Sequence, residues 1–578
     1  MSKKLITRNR PVKACVKCFN GKRKCNKEKP ACTRCTRLGL KCVYLAKLKT
    51  EGRGSFSTDS SELKDSTLHF LEENRKNGEN ESFRIVTNRS GELAIFVPKN
   101  LFPFYDPSSV VTYLLKAKTD DNKEMFTFNF SELVTNRMCV GELRSKLPKE
   151  ALGNFLISHF LNSIFPLVPI IDQEDFILKW KLFLKSPSSF EDLNAMITLF
   201  AVFFSSSFSL HLNQLYQRRC SVTPTSNLKF MKLAFEYFEC VENIKCLLMT
   251  NYNPSIPAIS SLALMYYVSS TNCNDLAVQV SSLLRYSHMA GLHKKATRLS
   301  GTPLKEVVYA FVVFLDSLVS FYTGLPSQVD QTLNELYDGM EELPSNPFTL
   351  AAVARFRAAR LCADITTQLS NGELLSQDDL KRKIRAFKKV ERDIHLIDER
   401  ILKLRTSCPS DLTWSFNESW LFVRRAGRLL AYFSSNAQCK WKKRKSEVNL
   451  NNGDLILQSL LLINESFLKI SCALEQGTES VWFLRNTYPF EPIIIVLSHL
   501  KRYPNACVNF MDLEEEVYYT RCATIDYFSG DLRVELVENC CQALSEIGCL
   551  WPLKTQNLFK EILALKSKVI KKETGQKT

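Results

Sequence analysis

The sequence predicts a mainly α protein in unequal parts: a small cysteine-organised N-terminal module, a flexible linker and a large all-helical domain. Three observations predict it. Six of the 20 cysteines lie near the N-terminus, spaced Cys15-x2-Cys18-x6-Cys25-x6-Cys32-x2-Cys35-x6-Cys42. The formal net charge is +17, and residues 1–50 hold nearly all of it, since Glu28 is the sole acid among their many lysines and arginines. From about Leu147 onward, apolar residues recur at helical spacing with little strand-like alternation. A chain of 578 residues is also too long for one core.

Residues 1–45 come first. Two C-x-x-C pairs, each followed by a further cysteine seven positions on, make a pseudo-repeat of Cys15/Cys18/Cys25 and Cys32/Cys35/Cys42. Thiolates held two residues apart on a turn can share a metal, and tetrahedral sulfur sites suit Zn(II). Six thiolates cannot complete two separate tetrahedra, but they can complete two if two sulfurs bridge both ions. One alternative is a secreted disulfide framework, yet Met1 to Pro11 is basic and polar rather than an apolar leader. Another is a mononuclear ribbon using Cys15, Cys18, Cys32 and Cys35 alone, which leaves the six-fold symmetry unexplained. The module has few sizeable apolar groups, Val16, Phe19 and Leu38 among them. Structural zinc supplies about 10–16 kcal/mol of apparent folding free energy in small peptides, enough to stand in for a core.

This segment resembles the DNA-binding domain of the fungal zinc binuclear cluster family of transcription factors. Lys22-Arg-Lys-Cys25-Asn-Lys-Glu-Lys-Pro30 is similar to that family's basic first helix and proline-containing loop. The resemblance implies two zinc ions held by Cys15, Cys18, Cys25, Cys32, Cys35 and Cys42, with Cys15 and Cys32 bridging. It also implies that Lys22 reads base edges in the major groove, where lysine donates well to guanine O6 and N7, hence CGG-like triplets. Arg23 and Lys24 would lie nearer the backbone, with Lys17, Arg34 and Arg37 as further phosphate contacts. Phe19 and Gly21 stand where the family is commonly basic. The arm before Cys15, with Lys3, Lys4, Arg8, Arg10 and Lys13, would add affinity that ignores sequence.

Residues 46–82 have linker composition, Thr50-Glu-Gly-Arg-Gly-Ser55 followed by a serine-rich run. Glu62 to Lys76 is the best stretch for a short coiled coil, with Leu63 and Phe70 seven apart, but it spans under two heptads. Residues 83–146 form a hairpin and connecting segment, with two strands expected around a Ser90-Gly91 turn between Phe83 and Val97.

Residues 147–565 read as the helical domain and 566–578 as a basic tail. Leu152, Phe155, Leu156, His159 and Phe160 should share one helix face ending near Phe165-Pro166. Further helices are expected over 193–217, 227–248, 256–272, 275–291, 304–322, 350–370, 376–404, 415–436, 453–474 and 531–548. The uncharged stretch Leu193 to Gln217 carries four serines and several amides, so it reads as a buried helix rather than a membrane span. The fourteen cysteines beyond the first six read as reduced core residues. Three segments resemble the regulatory domain of fungal transcription factors over roughly 147–430. They are Leu147-Pro148 through Phe165-Pro166 to Asp172, Ser281 to His293 with its Arg285, Gly291 and Leu292, and Leu315-Asp316 with Gly324-Leu-Pro326.

Nothing in the sequence argues for catalysis. It contains no phosphate loop, dinucleotide fingerprint or nucleophile elbow. None of the seven histidines forms a metal-binding pair motif; His288 and His293, five apart, should point to different helix faces. Cys540, Cys541 and Cys549 lack metal spacing. The runs Arg355–Arg360 and Lys381–Lys389 read as solvated helix faces. The expectation is therefore a nuclear, sequence-specific DNA-binding regulator of RNA polymerase II genes, not an enzyme and not membrane-bound. Its partners would be double-stranded DNA, co-regulators and a second chain in a homodimer or heterodimer. The rival expectation is a zinc-structured nucleic-acid or chromatin binding module with little sequence preference.

Overall fold

A computed structural model describes residues 26, 33–37, 84–87, 93–96, 138–219, 229–249, 254–269, 273–294, 304–323, 325–329, 347–370, 377–404, 415, 418–441, 453–476, 478–504, 531–551 and 553–574. Contacts divide the chain into two units, Met1–Glu79 and Asn80–Thr578. In the first, one short helix is described, α1 (Thr33–Arg37). The expected linker and coiled coil lie outside the described residues.

The second unit opens with the expected hairpin. Strands β1 (Arg84–Thr87) and β2 (Leu93–Phe96) pair antiparallel, with Arg84 opposite Phe96 and Thr87 opposite Leu93. All the rest that is described is helical or connecting: α2 (Val140–Lys146), α3 (Glu150–Ser163), α4 (Gln173–Lys185), α5 (Leu193–Arg219), α6 (Lys229–Met249), α7 (Ile256–Ser269) and α8 (Cys273–Met289). Then follow α9 (Leu304–Thr323), α10 (Pro347–Ser370), α11 (Gln377–Leu404), α12 (Glu418–Trp441), α13 (Gly453–Gln476), α14 (Phe490–Arg502), α15 (Leu532–Ile547) and α16 (Leu553–Thr574). Short 3-10 turns lie at Pro187–Ser189, Thr478–Asn486 and Gly548–Leu550. The protein is mainly α, as its periodicity predicts.

Helix α5 is the axis of the first half. It packs against α3, α6, α7 and the Thr478–Asn486 turn, and Phe200, Phe203 and Phe204 are fully buried. Over Leu193–Gln217 it has the length and apolarity of a membrane span, but 94% of that window is buried inside the protein. Some of its polar groups bond internally: Ser206 donates to the Leu156 carbonyl at 2.8 Å and Asn213 Nδ2 to that of Glu479 at 2.8 Å, whereas Ser207 Oγ and Asn213 Oδ1 are buried without a hydrogen-bond partner. Leu455–Glu475, within α13, passes the same test and is also largely buried. The second half continues through neighbouring pairs α9–α10, α10–α12, α12–α13 and α13–α15.

Local chemistry explains several element ends. Asp172 caps α4 by accepting from the Asp175 amide at 3.0 Å. Helix α8 closes in a Schellman turn: Leu292 N donates to Ser287 O at 2.9 Å and Gly291 N to His288 O at 3.0 Å. Gly291 takes φ 73°, the left-handed region where glycine has no Cβ to clash, and Leu292 is fully buried. Gly153 serves a different need. The Trp180 indole of α4 lies so close to α3 that a Cβ at 153 would sit 2.2 Å from its Cζ2. The same indole donates to Asn154 Oδ1 at 2.8 Å.

Several expectations need correction. The Schellman turn brings the His288 and His293 rings to 5.0 Å between centroids; the helix stops at Met289, so helical phase no longer separates them. Phe155 does not join the buried face of α3 but is half exposed and stacked on Phe230, centroids 6.3 Å apart. Arg355, Arg357 and Arg360 are buried rather than solvated. Arg355 donates to Leu167 O at 2.7 Å and lies over the rings of Phe314, Phe356 and Phe483. Arg357 pairs with Asp393 at 2.6 Å and Arg360 with Asp364 at 3.0 Å. Helix α2 falls in the stretch read as a connecting segment. Most of the expected basic tail continues α16, with Val569 buried. Helices α4, α14 and α16 were not among the expected spans. Among the cysteines beyond the first six whose side chains are described, Cys139 and Cys246 are exposed, not core, whereas Cys240, Cys362, Cys540 and Cys541 are buried.

Candidate metal centre and nucleic-acid interface

Of the residues expected to hold zinc or touch DNA, Arg34, Cys35 and Arg37 lie within α1. Cys15, Lys17, Cys18, Lys22, Arg23, Lys24, Cys25, Cys32 and Cys42 lie outside the described residues. Cys35 is the third residue of the helix, and Arg37, its last, is exposed. A one-turn helix this short is marginal by itself, because nucleation costs more than a single turn returns. Something outside the helix has to hold it.

Part of that support is Asn26. Its carboxamide Oδ1 accepts from the Thr33 amide, the first of α1, at 3.2 Å, and its Nδ2 donates to Thr33 Oγ1. Free amides at a helix start are the groups a side-chain oxygen satisfies best. Asn26 directly follows Cys25 and Thr33 directly follows Cys32. These two bonds therefore tie the chain just after one expected ligand to the chain just after another, across the loop that carries Pro30. Sequence reading missed Asn26, because the cysteine spacing does not mark it.

The donor set fits zinc on chemical grounds. Six thiolates in two matching triads offer soft anionic ligands, and the basic residues interleaved with them help hold cysteine in its thiolate form. The buried thiols of the helical unit contrast with this. Burial pushes Cys240 and Cys362 up to about 12 and Cys541 to about 11, so they stay protonated. Among the described residues no three His, Cys, Asp or Glu side chains are grouped to hold a metal.

His159 shows why the helical histidines are not candidates. It is buried on α3, within 3.0 Å of Ser209 Oγ and 3.4 Å of Ser163 Oγ, and burial lowers its pKa to about 4. It is a satisfied neutral core group. Asp316, in the Leu315-Asp316 motif, is likewise committed: it accepts from Ser327 Oγ at 2.5 Å and from Gln328 N at 3.1 Å. Arg360 grips the same loop at Ser327 Oγ and Val329 O. The motif fixes a loop and performs no chemistry.

The N-terminal residues thus define a class, a small cysteine-rich module organised by metal and rich in positive charge. Residues 13–51 match the family model of the fungal Zn(2)-Cys(6) binuclear cluster domain, and all six cysteines fall inside the match. The chain carries that domain at its N-terminus, and the domain binds two zinc ions. Proteins with it bind DNA and typically regulate transcription; they are not enzymes as a family. No curated protein matches the chain.

Proposed function

We propose that the protein is a nuclear, sequence-specific transcription factor acting on genes read by RNA polymerase II. The observation that carries this reading is the family match over residues 13–51 with every cysteine of the pattern in place. Cys15, Cys18, Cys25, Cys32, Cys35 and Cys42 hold the two ions, and the zinc supplies the rigidity that a coreless peptide lacks. Lys22 presents its ammonium to guanine O6 and N7 in a CGG-like triplet. Arg23, Lys24, Lys17, Arg34 and Arg37 neutralise phosphates and set the register. The exposure of Arg37 at the end of α1 is consistent with that role.

The domain limits follow the chemistry: 1–45 for the zinc module and its arm, 46–82 for the linker, 83–146 for the hairpin and connection, and a helical regulatory domain from 147. That domain resembles the fungal regulatory domain at its arginine, glycine, leucine and aspartate positions. It would serve co-regulators and a homodimer or heterodimer. Selection of bound sites from a random duplex pool tests the reading. Enrichment of a CGG-like triplet is expected; recovery of an unbiased pool would leave a zinc-structured module without base preference.

A further inference from the structure

Helix α11 separates its charges by face. Its central acids turn inward: Asp393 pairs with Arg357 of α10 at 2.6 Å, Glu391 with Arg424 of α12 at 3.5 Å, and Asp398 accepts from the Trp420 indole at 2.6 Å; Asp378 and Glu399, near the two ends, are exposed. Most of its cations turn outward, Lys383, which donates to Asp364 O at 3.2 Å, being the exception. Lys381, Arg382, Arg385, Lys388, Lys389 and Arg392 are all exposed, and at 3.6 residues per turn they fall within an arc of about 120°. Lys381 and Arg382 pair with Asp378 and Asp379 in the first turn. From Arg385 to Arg392 that face holds no acid, and among the described residues neither Arg385 nor Lys388 forms an ion pair. Lysines and arginines three and four apart repel one another, and the acids that could relieve them are committed to buried arginines.

We propose that this outer face of α11 is a second DNA-contacting surface, binding the phosphate backbone of duplex flanking the zinc domain's site. The proposal rests on the reading of the N-terminal module as a DNA-binding domain. A polyanion relieves the repulsion and releases counterions in doing so. Protein partners fit less well, because lysine is depleted in protein interfaces and this stretch offers no aromatic anchor. Phosphate contacts need only Lys and Arg in a row. Carried on one chain, even a weak contact of this kind adds to the zinc domain's affinity through effective concentration.

The test uses the full zinc-loaded chain with two duplexes carrying the same selected site, one ending at the site and one extended by about two helical turns on each side. The R385Q/K388Q/R392Q variant should bind the long duplex several-fold more weakly than the unchanged chain. Its plot of log affinity against log salt should be shallower by about 3, since each lost phosphate contact removes roughly 0.9. Binding to the short duplex should be unchanged, and the R385K/R392K variant should behave as the unchanged chain. Equal binding of the long duplex by both chains would overturn the proposal. So would equal binding accompanied by lost capture of poly-glutamate, which would point to an acidic protein instead. In a Cys25→Ala background the residual binding to long duplex should still weaken with the triple substitution. A failure of site selection alone therefore counts against the zinc module and not against α11.

Discussion

At the scale of single residues, the N-terminal module depends on ligands and on the hydrogen bonds that bring them together. Cys25→Ala should abolish zinc uptake and site selection at once, read by metal content and by competition between cognate and scrambled duplex; selection surviving without metal would refute the ligand role. Lys22→Ala should flatten the preference for the triplet by about 1–3 kcal/mol while leaving non-cognate binding little changed. An even loss on all duplexes would make Lys22 a phosphate contact instead. Asn26→Ala removes the oxygen that accepts from the first amide of α1, and loss of such a cap typically costs about 1 kcal/mol. Zinc competition against a chelator should register it as weakened metal retention.

At the scale of elements, the helices were legible wherever a long amphipathic or apolar run kept one period. The ends of α5, α9, α11 and α13 lie within a few residues of the expected ones. Helix α14 was missed because Ile493, Ile494, Ile495 and Val496 form a short β-branched run whose text fits strand as well as helix; the structure places them in a helix with all four buried. The Arg355–Arg360 run misled for another reason. Arginine is ordinarily at the surface, and the partners that permit burial, Asp393 and the Leu167 carbonyl, lie on distant segments. Equally invisible was the inward turn of Asp393 and Glu391 that leaves α11 basic outside. Of the zinc site, the cysteine pattern that marks the domain was legible from spacing; the Asn26–Thr33 link was not, because no pattern in the sequence marks which polar side chain closes a loop.

Packing between elements yields its own prediction. Gly153→Ala would push a methyl into the Trp180 ring, and overpacking of this kind costs about 1–3 kcal/mol. A lowered thermal midpoint of the helical unit with unchanged zinc content is the expected result. His159 gives the pH dependence. Its folded pKa is depressed to about 4 by burial, while the unfolded chain titrates near 6.5, so the unfolded state binds the proton first. The stability it contributes is present above about pH 6.5 and is lost as pH falls toward 4, up to about 3 kcal/mol by linkage. His159→Asn should flatten that part of the pH–stability curve, measured by denaturant unfolding.

At the scale of the whole molecule, charge and metal divide the labour. Nearly all the net positive charge belongs to the first fifty residues, while the helical unit buries its arginines against acids and rings and keeps α11 as a basic face. Such a chain should lose DNA affinity steeply as salt rises. The central claim is that zinc–thiolate bonding makes the N-terminal peptide into a selective reader of duplex. The most direct measurement is titration of the metal-stripped 578-residue chain with Zn(II), following metal bound per chain and binding to the selected site together. Two ions per chain, with site-selective binding returning as they bind, is the predicted result. Selective binding by the metal-free protein would contradict it.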